Sequence, residues 1–204
     1  MFIERPPKWF RNLFPEAIFR MEEGEGRKMV YLTFDDGPIP EATPQVLDEL
    51  DKYEVKATFF MVGDNVRKYP GLYEKVKARG HKIGNHTMHH IRGLGIAPVD
   101  YMKDVEECDE ISKDGLFRPP HGWLTPGQMR EVRRKYKVVM YDLITRDYSR
   151  RISAREVVDN VKKYTRPGSI IVFHDSLKSI EKLKTALPES IEWLKAEGYE
   201  FGVL

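Results

Sequence analysis

A parallel α/β barrel in a single domain is the fold class that the sequence predicts, on three observations. Seven apolar, strand-like runs alternate with six helix-period patterns from residue 29 to the C-terminus. No glycine-rich phosphate loop follows the first run, which argues against an open nucleotide-binding sheet. Titratable residues collect just past the apolar runs, at the strand ends where barrel enzymes carry their chemistry. A chain of 204 residues is long enough for one sizeable core and is most simply one domain.

The first strand, Val30–Asp35, stops at two adjacent acids and the breaker Gly37-Pro38. A helix over Pro44–Tyr53 follows, with Thr43 as its N-cap and Pro44 at its first position. The apolar run Ala57–Val62 is the second strand. The helix Pro70–Arg79 is closed by Gly80, where a left-handed cap is expected. The third strand is Lys82–Asn85. The helix Val99–Lys113 carries Val99, Met102, Val105, Cys108 and Ile111 at a spacing of three, a core-facing stripe. Strand Leu116–Arg118, helix Thr125–Lys135, strand Val138–Asp142, helix Ala154–Tyr164 and strand Ser169–His174 continue the alternation. The helix Ile180–Glu197, closed by Gly198, and the strand Tyr199–Val203 end it.

Composition narrows the function classes. With 34 basic and 32 acidic residues the net charge is +2, so there is no global pull toward nucleic acid. The single cysteine, Cys108, excludes an intrachain disulfide framework and a Cys-rich zinc site. No stretch approaches the roughly 18–20 apolar residues of a membrane span. The N-terminus lacks the apolar run of a cleaved signal, so a cytoplasmic location is expected, with envelope association as the alternative. Residues 1–28 form an N-terminal segment before a domain over 29–204. Its Trp9, Phe10, Leu13, Phe14, Ile18 and Phe19 are expected to cover the apolar bottom of the barrel. A membrane-surface anchor is the competing reading, against which Pro15 interrupts the necessary helix.

Five of the seven strand ends carry titratable residues. Asp35 and Asp36 end the first; a buried acid pair is costly unless something such as a metal ion compensates it, and acid/base chemistry would give it a purpose. His86, His89 and His90 follow the third. One helical turn would put His86 and His90 on one face, with His86 and His89 as the alternative pair. Two imidazoles and a carboxylate are a common ligand set for zinc or another divalent metal, whereas a polar loop with surface histidines is the bland alternative. Arg118 ends the fourth strand before Pro119-Pro120-His121-Gly122, placed to hold a carboxylate ionised. Asp142 and Asp147 follow the fifth. His174 and Asp175 end the sixth, and His174 titrates in the range of a general acid.

These segments, in this order, resemble the NodB-like polysaccharide deacetylases of carbohydrate esterase family 4 over residues 29–204. The motif T-F-D-D-G is matched at 33–37, H-[S/T]-x-x-H at 86–90 and R-x-P-x-G at 118–122. The fourth, D-x-x-D-W, is met in part by Ile144-Thr145-Arg146-Asp147-Tyr148, and the fifth, L-x-H, by Val172-Phe173-His174. The resemblance implies a distorted (β/α)7 barrel. It implies Asp35 as general base and Asp36, His86 and His90 as ligands of one divalent metal, zinc first, with cobalt, nickel or iron possible for this ligand set. It implies Arg118 as partner of Asp35, His174 as general acid tuned by Asp147, and the His121 backbone N–H as an oxyanion donor. Tyr148 and Val172, in place of Trp and Leu, would wall the acetyl pocket, and His121 replaces the usual aromatic residue. The implied reaction removes N-acetyl groups from an amino-sugar polymer, oligomer or glycoconjugate, with base and acid on opposite sides of one carbonyl. Hydrolysis of a cyclic, non-sugar amide and a catalytically dead carbohydrate-binding module are the alternatives.

Overall fold

The computed structural model describes residues 4–22, 26–109 and 115–204. Its strands are β1 (Met29–Asp35), β2 (Thr58–Met61), β3 (Lys82–Asn85), β4 (Leu116–Phe117), β5 (Lys137–Val138), β6 (Leu143–Ile144), β7 (Ser169–His174) and β8 (Glu200–Gly202). All strand pairs are parallel, in the order β5-β4-β3-β2-β1-β7-β6. One edge of β1 pairs with β7 throughout, while its other edge is shared by β8 at the base and β2 at the top. The helices are α1 (Lys8–Asn12), α2 (Thr43–Lys52), α3 (Gly63–Lys68), α4 (Pro70–Ala78), α5 (Pro98–Glu106), α6 (Pro126–Val132), α7 (Ala154–Tyr164) and α8 (Ile180–Ala196). The curled sheet with its helices is a distorted (β/α)7 barrel.

The period of two along β1 decides what faces the chemistry. Val30, Leu32 and Phe34 point outward into a core shared with α2, α7 and α8. Phe34 stacks between Phe59 and Phe173, with ring centroids 5.1 and 5.8 Å away. Tyr31 belongs instead to a smaller cluster with Phe60, Leu116, Val139 and Ile170. Thr33 and Asp35 share that opposite, inward face by the same alternation.

The expected fifth strand, Val138–Asp142, is two short strands in the structure. Val139 N–H donates to Phe117 O at 2.8 Å, but by Asp142 the chain has crossed over to Ile170 O at 3.0 Å. Ile18 enters at the break: its N–H donates to Val138 O and its carbonyl accepts from Met140 N–H. The barrel seam is thus completed from the N-terminal segment. Phe14 and Phe19 are buried there beside Phe117, Val138 and Met140, whereas Trp9 and Leu13 are 62% and 54% exposed.

Three local expectations differ. Helix α5 ends at Glu106; Val99 is exposed rather than part of the core stripe, and residues 110–113 lie outside the described residues. Cys108 does pack in the core, its thiol 3.4 Å from Thr87 O. Thr43 does not cap its helix, because its hydroxyl is bonded to Asp175. Among the described residues, no helix is long and apolar enough to cross a membrane.

Candidate active site

Strand β1 ends at Asp35, and the next residue turns. Asp36 adopts φ 82°, a left-handed conformation that an aspartate tolerates at a cost of roughly 1 kcal/mol. The two acids therefore diverge through this turn rather than by strand alternation. Asp35, 5% exposed, accepts from Arg118 Nη1 at 2.7 Å. The same nitrogen reaches Thr33 Oγ1 at 2.8 Å, while Nη2 and Nε donate to Met140 O and Val139 O. The buried guanidinium lies over the Phe60 ring at 4.1 Å. Its planar fork is bonded in several directions at once, so a lysine could not replace it.

His86 and His90 converge, but without a helical turn. The segment is irregular, with left-handed Thr87 and His90, and Thr87 N–H is held by Asn85 Oδ1 at 2.8 Å. His86 Nδ1 lies 2.7 Å from Arg118 O, which makes Nδ1 the donor and leaves the Nε2 lone pair open. Burial pushes the His86 pKa down to about 4, so the ring is neutral at neutral pH. Asp36 Oδ1 stands 3.1 Å from His90 Nε2 and 3.8 Å from His86 Nε2. Burial alone would raise the Asp36 pKa, but the His90 hydrogen bond and the neighbouring histidines hold it well below the usual carboxylate range. One ligand atom from each of Asp36, His86 and His90 lies within 4.8 Å of the others. An ionised carboxylate and two imidazole nitrogens at such spacing fit a divalent metal with open coordination positions. His89 turns away and pairs with Asp104 at 2.5 Å.

The other arm stands at the end of β7. His174 Nδ1 lies 2.8 Å from Asp147 Oδ1, and His174 N–H donates to Asp147 Oδ2 at 2.7 Å. Burial alone would lower the His174 pKa; the charge and hydrogen bond of Asp147 outweigh it and raise the value to about 9. Asp35 and His174 are register partners on adjacent strands, not residues on opposite walls. Their tethers pull them apart: Arg118 follows β4 and Asp147 follows β6, on opposite sides of β1 in the sheet.

These groups line one cleft of about 430 Å³ with His121, Tyr148 and Val172, while Asp147 sits behind His174. His121 is left-handed, at φ 60°, and its ring packs on His90 with centroids 4.9 Å apart. The Tyr148 ring meets His174 edge-on at 4.9 Å.

A model of the family described as polysaccharide deacetylase matches residues 22–141. The chain belongs to the polysaccharide deacetylase family. A peptidoglycan-N-acetylglucosamine deacetylase of Bacillus cereus is 32% identical over 199 residues, covering 94% of this chain and 93% of the relative. A chitooligosaccharide deacetylase of Sinorhizobium fredii is 36% identical over 171 residues, covering 79% of each. The crystal structure of a peptidoglycan N-acetylglucosamine deacetylase bound to a naphthalenyl N-hydroxy benzamide has a TM-score of 0.86 at 29% identity. It covers 98% of this chain and 94% of the other.

All five strand ends with titratable residues in this polysaccharide deacetylase family member contribute residues to the cleft, but three of their acids, Asp142, Asp147 and Asp175, do not line it. Asp142 immediately precedes β6 at the base, bound to Arg11, Arg166 and Ser169. Asp175 is fully buried beneath the β1 turn. Sequence reading missed Tyr141 and Arg146, which line the cleft, and Glu4, which pairs with Arg146 at 2.6 Å. Tyr141 carried a usable signal, as an aromatic residue next to Asp142 at the end of an apolar run. The Glu4–Arg146 pair joins distant chain segments and leaves no local pattern.

Proposed function

We propose that the protein hydrolyses the N-acetyl group of an amino sugar, in a polymer, oligomer or glycoconjugate, with a divalent metal. One observation carries the reading: a carboxylate tethered by a buried arginine and an imidazole tethered by a buried aspartate flank an Asp-His-His set in a single cleft. The deacetylase names of the relatives support the reaction class. The bound N-hydroxy benzamide of the structural neighbour offers two oxygens of the kind that chelate a divalent metal.

Asp36, His86 and His90 would hold the metal, zinc first among zinc, cobalt, nickel and iron, which when bound supplies Lewis acidity to an acetyl carbonyl and its attacking water. Asp35 takes the proton of that water as it attacks, with Arg118 holding the carboxylate in place through Oδ1. The His121 N–H offers a donor to the carbonyl oxygen as its negative charge develops. His174 Nε2–H protonates the departing amine, a very poor leaving group otherwise, and Asp147 keeps the ring protonated at neutral pH. Tyr148 and Val172 wall the acetyl methyl group.

The test is acetate release from N-acetylglucosamine oligomers and peptidoglycan fragments, run beside cyclic ureides and imides. Release from the sugars alone is the expected result. Turnover of the cyclic amides alone would overturn the assignment.

A further inference from the structure

The mechanism leaves one acid beside the cleft unused. Asp175 is fully buried, and among the described residues no cation is bonded to it. Its carboxylate accepts from Gly37 N–H at 3.1 Å and from Thr43 Oγ1 at 2.5 Å, and Thr43 Oγ1 accepts from Ile39 N–H at 2.7 Å. Every one of these bonds leads to the segment that leaves Asp36. The approach is so close that a Cβ at residue 37 would lie 2.0 Å from Asp175 Oδ2, so this turn requires glycine. From the opposite side, Asn65 Nδ2 donates to Asp36 O at 2.8 Å and Val62 N–H donates to Gly37 O at 3.0 Å. The left-handed Asp36 is therefore clamped between β7 and the start of α3.

We propose that Asp175 is a positioning residue for the metal triad: by holding Gly37 N–H it fixes the turn that presents the Asp36 carboxylate to His86 and His90. Because Asp175 adjoins His174, one dipeptide sets both the metal-facing turn and the proton-donating arm. The proposal rests on the metal reading above and concerns how tightly the site is built.

The side-chain geometry makes asparagine the conservative variant. Its oxygen can accept from Gly37 N–H while its amide donates to Thr43 Oγ1. Zinc and cobalt affinities of the full chain are measured by chelator competition, with the visible spectrum of the cobalt form and the melting temperature recorded on each variant. Asp175→Ala is expected to weaken both metals about 10- to 100-fold and to alter the cobalt spectrum. Asp175→Asn is expected to stay within about threefold of wild type. Val157→Ala, a core truncation on α7, gives the comparison for a general loss of stability and is expected to leave affinity and spectrum unchanged. Should Asp175→Ala fail to fold, Thr43→Val removes one of the two bonds to the same carboxylate and is expected to shift affinity in the same direction. Wild-type affinity and spectrum in Asp175→Ala, or in Thr43→Val when it stands in, would overturn the proposal, as would an equal loss in Val157→Ala. A wild-type protein that binds neither metal would overturn the metal reading and the proposal together.

Discussion

Two buried aspartates, Asp35 and Asp142, each lean on arginine, yet one faces a cleft and the other is sealed. Asp142 Oδ1 accepts from Arg11 and Arg166, and Oδ2 accepts from Arg166 Nε and Ser169 Oγ. Its four acceptor positions are filled. Burial alone would raise its pKa, but these partners push it down to about 2. Asp35 is bonded through Oδ1 to Arg118 and lines the cleft beside Asp36 and His86. In sequence both residues end an apolar run. What separates them is saturation: Asp142 has no capacity left for a reactant, whereas Asp35 is held by one oxygen and retains the other.

The sharpest way to break this contrast is at the metal triad, next to the unsaturated acid. Asp36→Ala or His90→Ala should lose bound metal and lower acetate release on the order of 10³-fold, the several kcal/mol that a Lewis acid supplies. Metal analysis and kinetics on one sample check it. At the sealed end the expected loss is in stability. Asp142→Ala leaves two arginines without their buried partner and should cost about 3–5 kcal/mol in urea unfolding, with kcat of the folded fraction retained. A stable Asp142→Ala protein without turnover would erase the distinction.

The third test uses pH. The raised pKa of His174 predicts that kcat/KM falls on the alkaline side near pH 9, because the acid must be protonated. Asp147→Asn should move that limb down toward 6.5 or below. The same shift has a stability sign: a raised folded-state pKa stabilises fully below pH 6.5, and the contribution is lost as pH rises through about 9. The smallest effect is expected at the rim. Glu4 and Arg146 form a partly exposed pair, so Glu4→Gln should change KM only about two- to fivefold, with kcat kept.

Much of the site was legible because barrel chemistry sits where apolar runs stop. Asp35, Asp36, His86, His90, Arg118 and His174 follow such runs, and the run itself gives the position. The same rule misplaced Asp142, because Val138–Asp142 reads as one continuous strand. Its break depends on Ile18, a residue from the far end of the chain that no local pattern links to it. The spacing of His86 and His90 suits one helical turn, whereas left-handed Thr87 and His90 bring the rings together in an irregular segment. Asp175 was hidden by its neighbour: one strand-end signal covered His174 and Asp175, which face different partners.

The most direct measurement is made on Asp35→Asn beside wild type, with bound zinc and acetate release from N-acetylglucosamine oligomers read from the same samples. The variant keeps an acceptor for Arg118 and leaves the Asp36, His86 and His90 ligands in place. The account predicts wild-type zinc content with acetate release lowered by about 10²- to 10⁴-fold, the contribution of a positioned general base. Full turnover in Asp35→Asn, or loss of zinc in step with activity, would contradict it.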